Sequence, residues 1–536
     1  MRKRTVAVLS AVAVSAAIVS AAAPDPAKTD AGLVAAATNS PEGVRVYRGI
    51  PFAAPPVGAL RWKPAQAPAK WSGVRKGDSF GPVCVQPKGE GRLNVSVDLP
   101  GSPPASEDCL YLNVWTGAAR ANERRPVMVW IFGGAYTEGA GSSRHNDGEA
   151  LARKGAVVVT FNYRLGPFGF FWHPDLNQES GHNASGNQAV WDCIEALKWV
   201  QRNIAAFGGD PANVTIFGES AGAALSAGLV GSPEAKGLFR RAISESGAWM
   251  GLSMAPMRKG ALALAPPAAG ARGGARGRPA VSPLASKPIA ELRALSTADV
   301  TKSFTGAGMI VDGWAIPEDE SITFANGRQN AVDVLIGSNK DEGSFTLRGP
   351  DAKQWTDRVR AQWKDLADDY LKLYPAGSDE QAAKSSEQAF SDEMAWHMWR
   401  YAQAQAKIGK RTYLYYFTHE PPTEPGKPNL RATHTAEIPY VFNNLRAVRV
   451  FPDTSSPELS STSPADITLA GIVSQYWVNF ARSGDPNAKG LASWPRFEDK
   501  ATGKRMELGD TQHPGDVPLA KFEMYDRLYA RQMAAN

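Results

Sequence analysis

Gly218-Glu219-Ser220-Ala221-Gly222 sets one serine between two glycines. Composition alone can produce such a pattern by accident, so its surroundings decide how it is read. It follows the run NVTIF (Asn213–Phe217) and opens into AGAALSAGLV, small residues that can start a helix. Strand, tight turn and helix in series project a nucleophilic hydroxyl into an open cleft. Gly218 and Gly222 bring no Cβ into that turn. The N–H of Ala221 is then placed to meet the oxygen that gains negative charge in acyl transfer. A glycine-rich turn that only packs a helix on a sheet is the competing reading.

A serine of this kind needs donors for the oxyanion, a base and an acid. Trp130–Tyr136 (WIFGGAY) ends an apolar run on small residues, so the N–H groups of Gly134 and Ala135 can approach a substrate closely. One such donor is worth about 3 kcal/mol in the transition state. Around an elbow of this type the acid and then the base follow the serine along the chain. His145, His173 and His182 precede Ser220 and drop out. Of the rest, His397 sits in the Trp-rich helical run AWHMWR and reads as packed, His419 ends a strand, and His513 lies in a polar tail. His434, in ATHTAEIPYVF, stands in a loop before an apolar run, which suits a base delivered to a cleft. The acid belongs on a loop after a strand. Asp341 and Glu342, in SNKDEG after DVLIG, both meet that condition, and the spacing does not choose between them. Its role would be to hold the imidazole tautomer and stabilise the imidazolium. A solvated turn or helix cap is the alternative.

The elements that must position these residues are legible from periodicity. Pro126–Phe132, Ala156–Tyr163, Asn213–Phe217, Asp333–Ser338 and Thr412–Phe417 read as buried strands. Between two of them, Gly186–Phe207 carries Val190, Ile194, Leu197, Val200 and Ile204 at helical spacing, and Gly208-Gly209 stops it. Asp466–Arg482 is a second amphipathic helix, ended by SGDPN. Strand, helix and strand in alternation predict an α/β layered fold. No internal repeat is visible.

The chain has 536 residues, 43% hydrophobic and 21% charged. That composition excludes a collagen-like, disordered or disulfide-framework protein. The net charge of +6 is unevenly placed. Arg2, Lys3 and Arg4 supply part of it, and Arg258, Lys259, Arg272, Arg276, Arg278 and Lys287 the rest, leaving a slightly acidic body. A nucleic-acid partner is not expected. Residues 1–23 join a basic start to an apolar run and small residues, the pattern of a cleaved export signal. The expectation is a secreted or periplasmic protein, without stable membrane insertion after cleavage, and a single domain over 24–536. Segment 258–288 has no acid and no aromatic residue and reads as a mobile insertion or linker. A frameshift in GC-rich coding DNA would give the same composition. Asn94, Asn183 and Asn213 lie in glycosylation sequons. The three cysteines allow at most one internal pair. Cys84 and Cys109 bracket a Pro/Gly-rich loop whose closure would be worth about 3.5 kcal/mol. Cys193, in WDCIEALKWV, reads as a buried inert thiol.

Taken together, these motifs resemble the type-B carboxylesterase family, which includes the cholinesterases. Val46–Trp62 (VYRGIPFAAPPVGALRW), Ser106–Val114 (SEDCLYLNV), Asn162–Phe170 (NYRLGPFGF), Phe207–Gly222 and Ser338–Phe345 (SNKDEGSF) carry the resemblance over nearly the whole mature chain. It implies an α/β-hydrolase fold with a large, mostly parallel sheet flanked by helices. It also implies a serine carboxylesterase acting on small-molecule esters through an acyl-enzyme, with no metal or organic cofactor. It selects Glu342 over Asp341 as the acid and His434 as the base for Ser220. Gly134, Ala135 and Ala221 take the oxyanion role, and Cys84 pairs with Cys109. Two departures stand out. Ala135 occupies the position of a more usual glycine, which narrows the oxyanion loop slightly, and the loop between the cysteines reads DLPGSPP without the tryptophan that cholinesterases use for choline. A feruloyl, tannin, polyester or amide hydrolase on the same machinery, and a non-catalytic adhesion relative, are the alternative readings.

Overall fold

A computed structural model describes residues 25–86, 103–252, 283–304, 306, 308–346, 349–423, 428–445, 463–498 and 503–534. The leader 1–23, Asn94 and most of segment 258–288 lie outside the described residues. The β-branched runs form strands where the pattern predicts them, with small differences at the ends. Ten strands build one sheet: β1 (Arg45–Pro51), β2 (Tyr111–Thr116), β3 (Arg125–Ile131), β4 (Val157–Phe161), β5 (Gly209–Glu219), β6 (Arg241–Glu245), β7 (Asp333–Asn339), β8 (Thr412–Phe417), β9 (Lys504–Leu508) and β10 (Gln512–Asp516). Their order is β10-β9-β8-β7-β6-β5-β3-β4-β2-β1. The strands from β4 through β3, β5, β6, β7 and β8 to β9 are parallel, and antiparallel pairs close both edges. The central strands are buried along most of their length, which explains why they read as continuous apolar runs.

Four helices matter most for the site: α1 (Gln188–Asn203), α2 (Ala221–Gly231), α3 (Asp379–Lys407) and α4 (Pro464–Ser483). The predicted helix over 186–207 is α1 followed by a short 3-10 turn, Ile204–Phe207. Helix α4 starts on a capping box in which Ser463 and Asp466 exchange hydrogen bonds, and Gly484 ends it in the left-handed conformation. Helix α2 is buried on every side, so its small residues let it lie directly on the sheet. One large apolar core runs through the molecule, and a smaller one gathers Trp62, Phe168, Phe171, Leu292 and Phe304.

Two buried ion pairs tie the loops of the resemblance motifs to this frame. Arg61 meets Glu107 through two hydrogen bonds of 2.8 and 2.7 Å and also donates to the carbonyls of Arg293 and Leu295. Arg164 donates from its guanidinium to both oxygens of Asp192 at 2.8 and 2.6 Å, and its backbone N–H donates to one of them at 2.9 Å. The expected Cys84–Cys109 disulfide is formed, with Cα atoms 4.9 Å apart. Cys193 is buried, and burial pushes its thiol well above the ordinary value, as an inert cysteine requires. Of the described sequons, Asn183 is exposed, whereas Asn213 spends its amide on the Arg482 carbonyl and on Arg241.

The Arg164–Asp192 side chains are 3% and 0% exposed. Asp192→Ala should therefore strand a buried guanidinium and cost about 3–5 kcal/mol, read as a lower urea midpoint at unchanged slope.

Candidate active site

Strand β5 runs straight into helix α2, and Ser220 sits at the junction with φ +54 and ψ −121. A non-glycine residue is held there only by its surroundings. Its N–H donates to the Glu245 carbonyl at the end of the neighbouring β6. A Cβ on Gly222 would lie 1.9 Å from the Ile131 carbonyl oxygen, so the helix can start this close to β3 only because that Cβ is missing. The hydroxyl is thus fixed at the end of three adjacent parallel strands.

His434 comes from the stretch after β8, and Glu342 from the turn after β7. The Ser220 hydroxyl donates to His434 Nε2 at 2.8 Å, and His434 Nδ1–H donates to Glu342 Oε2 at 2.6 Å. Glu342 is fully buried. Its other oxygen accepts the Asn339 N–H at 2.7 Å. The Asn339 side chain donates to the Thr433 carbonyl at 2.8 Å and also to Glu437, so one amide joins the acid turn to the segment bearing the base.

Asp341, the other acid candidate, faces away from the imidazole. Its N–H donates to the Ala432 carbonyl at 2.9 Å, and its carboxylate accepts from Arg431 Nε at 2.9 Å and from the Ala432 N–H. Neighbouring residues thus divide the work. Glu342 meets the ring, and Asp341 anchors the chain just before it. The other histidines stand apart from Ser220. His397 accepts the Met250 N–H and is buried, which lowers it to about 3 and keeps it neutral. His419 bridges Asp466 and Asp510, and His513 is exposed.

On the other side of the serine, Gly134 and Ala135 both have positive φ, +119 and +51. Ala135 takes this strained conformation with its side chain in place, and so fills the position of the more usual glycine. A Cβ on Gly133 would stand 3.1 Å from Ser220 Cβ, a measure of how close this loop comes to the hydroxyl. The N–H groups of Gly134, Ala135 and Ala221 meet no acceptor among the described residues. They are free to receive one.

Three buried carboxyl groups, Glu342, Glu219 and Glu437, act on the imidazole, a fourth, Glu245, acts on Glu219 and Glu437, and sequence reasoning found only the first. Glu219 Oε1 lies 3.2 Å from His434 Nε2, the nitrogen that also meets Ser220. Glu437 lies three residues beyond His434, at the start of the short helix Ile438–Val441. Glu245 accepts from Trp477 Nε1 at 2.7 Å. Burial pushes Glu219 and Glu245 well above the usual carboxylate range and Glu437 up to about 7. For His434, burial works against the imidazolium, but the charges of Glu219 and Glu342 outweigh it and lift the ring up to about 10. The signal for Glu219 was its place inside G-x-S-x-G, and for Glu437 its three-residue offset from His434. Nothing in the sequence pointed to Glu245. Among the described residues no group of three or more His, Cys, Asp and Glu side chains could hold a metal ion, and no helix is long and apolar enough to cross a membrane.

The model of the carboxylesterase family matches residues 28–533. Fumonisin B1 esterase of Sphingopyxis macrogoltabida is 38% identical over 484 residues, covering 88% of this chain and 85% of that protein. Para-nitrobenzyl esterase of Bacillus subtilis (strain 168) is 34% identical, over 85% of this chain and 90% of that one. A solved PNB esterase structure superposes with a TM-score of 0.75 at 30% identity, covering 94% of this chain and 99% of that one. A carboxylesterase of Geobacillus stearothermophilus gives 0.71 at 33% identity, covering 94% and 99%. With its serine elbow at the edge of an α/β-hydrolase sheet, this chain belongs to the carboxylesterase family and is a carboxylic ester hydrolase.

Proposed function

We propose that the chain is a secreted serine carboxylesterase that cleaves small-molecule esters through an acyl-enzyme, with Ser220, His434 and Glu342 as the catalytic triad. The observation that carries this reading is the unbroken relay from the Ser220 hydroxyl through His434 to Glu342, with contacts of 2.8 and 2.6 Å. His434 accepts the hydroxyl proton as Ser220 Oγ forms its bond to the ester carbonyl carbon. The N–H groups of Gly134, Ala135 and Ala221 receive the oxyanion. As the tetrahedral adduct collapses, His434 gives the proton to the departing alkoxide, which leaves as the alcohol. A water, deprotonated by the same ring, then attacks the acyl-enzyme and releases the carboxylic acid. Export rests on the leader 1–23, and sequencing the N-terminus of protein recovered from the culture medium checks it. The fumonisin B1 esterase and para-nitrobenzyl esterase relatives make fumonisin B1 and a para-nitrobenzyl ester the first substrates to try.

Ser220→Ala should lower kcat for a p-nitrophenyl ester on the order of 10⁵-fold, with an unchanged circular dichroism spectrum. An organophosphate should label the parent protein once per chain and the variant not at all. Retained turnover in the variant would defeat the assignment.

The base must be neutral to accept a proton, so kcat/KM should rise with pH as His434 loses its own. The Glu219 carboxylate favours the imidazolium. In Glu219→Gln that pull is gone, the ring deprotonates more easily, and the acidic limb of the profile should move to lower pH.

Asp341 positions the base through Ala432 and Arg431 without meeting the ring. Asp341→Asn loses the charge but keeps an acceptor. It should lower kcat several-fold at near-constant KM, while Asp341→Ala should also cost about 1–3 kcal/mol of stability. Steady-state kinetics and urea unfolding of the two variants separate these effects.

A further inference from the structure

The described residues form a second concavity that shares no side chain with the triad or the oxyanion loop. It is a cavity of about 290 Å³ whose walls include Trp62, Trp191 and Trp314, with Lys63, Gln66 and Glu179 among its polar groups. That volume falls at the small end of ligand pockets. Trp191 and Trp314 are only partly buried, their ring centres 4.1 Å apart and their planes inclined by 46°. The exposed His182 lies flat on Trp314 at 3.8 Å.

The walls are set in advance. Trp62 is stacked on Phe171 and donates from its indole nitrogen to the Pro167 carbonyl at 2.8 Å. Asp312 Oδ1 accepts the N–H groups of Trp314 and Ile316 at 3.0 and 2.8 Å, which fixes the turn that presents Trp314. The Asn187 side chain binds both backbone groups of Ile310, at 2.8 and 3.0 Å, and so fastens this loop to the start of helix α1. A site built this way loses little freedom when a ligand enters.

The polar groups restrict what fits. Glu179 is held by Arg293 through two contacts of 2.7 Å, and Lys63 stands 3.8 Å away from it. Asp175 acts on Glu179 from the same helix. Among the lining residues one cation, Lys63, stands beside one carboxylate, Glu179, and the rim favours neither an anion nor a cation. It offers donors and acceptors side by side against the partly exposed Trp191 and Trp314. A pyranose matches this pattern, because its C–H faces are apolar and its edge carries hydroxyls that both donate and accept. We propose that this cavity binds a neutral glycosyl unit, separately from ester hydrolysis.

The test is titration of the full-length protein with methyl β-glucopyranoside, methyl β-xylopyranoside and xylobiose, followed by tryptophan fluorescence and calorimetry, with p-cresol and benzoate as aryl controls. Saturable binding of at least one glycoside, with Kd on the order of millimolar, is expected. Trp314→Ala should weaken it at least about tenfold, equivalent to 1.4 kcal/mol. Lys63→Ala, a substitution at a side chain that is 39% exposed and so leaves the fold intact, should weaken it too. Turnover of p-nitrophenyl acetate should stay within about twofold of the parent in both variants, so the fate of this site and that of the esterase reading are scored separately. Three results would overturn the proposal: no glycoside binding, glycoside binding that neither variant weakens, or binding of the aryl controls alone.

Discussion

The interaction on which this site depends is a single hydrogen bond from an imidazole to a carboxylate that water does not reach. Glu342 is fully buried, and its only charged neighbour of opposite sign in the relay is His434. An unpaired carboxylate there would be costly, so the ring must arrive and stay. Attraction alone does not fix the orientation of a ring on a loop. Asn339 does that work by donating to Glu342, to the Thr433 carbonyl and to Glu437 at once. Asp341 adds a second clamp to the same segment. The acid turn and the base segment therefore behave as one unit, although about ninety residues separate them.

That unit meets the serine because of how the sheet is threaded. Strands β5, β6, β7 and β8 are parallel neighbours, so their C-terminal ends share one edge. Glu219 pairs with Glu245, and Glu245 with Gly337, so the elbow and the acid turn leave the sheet at the same level. Two backbone bonds seal this edge: Ser220 N–H to the Glu245 carbonyl, and Ser246 N–H to the Gly337 carbonyl. A slip of one residue in either ladder would turn alternate side chains to the opposite face and break the relay.

This division explains what the sequence could and could not reveal. Strands β3, β4, β7 and β8 and helices α1 and α4 were legible within a few residues, because burial on both faces or on one helical stripe leaves a periodic mark. Strand β5 begins four residues before its apolar core, because Gly209 already pairs with Arg125 and the register shifts before Val214. Local context and chain order singled out Ser220 and His434, whose side chains meet at 2.8 Å. Spacing left Asp341 and Glu342 open, because it does not carry the direction in which each side chain leaves the turn, and only the family resemblance selected Glu342. The gathering of Glu219 and Glu437 around His434, with Glu245 acting on both, was invisible for a stronger reason. Isolated glutamates read as surface residues, and only the three-dimensional register buries them together.

Their burial has a chemical consequence. Under the proposed mechanism the ring must be neutral at rest and charged in the transition state, so its surroundings must favour the imidazolium without imposing it. Four ionised carboxylates would impose it, trapping the proton and disabling the base. The low-dielectric setting prevents this, because it penalises each additional charge. Burial holds Glu219 and Glu245 well above the ordinary carboxylate range and Glu437 at about 7. Whatever charge Glu219 carries beside the ring still favours the imidazolium. The ring and the carboxyls then titrate as a set rather than as independent sites. When the serine proton reaches the ring, Glu342 meets Nδ1–H at 2.6 Å and Glu219 faces the other nitrogen at 3.2 Å. The same burial that makes this cluster costly to fold also ties the proton of the ring to those of the carboxyls around it.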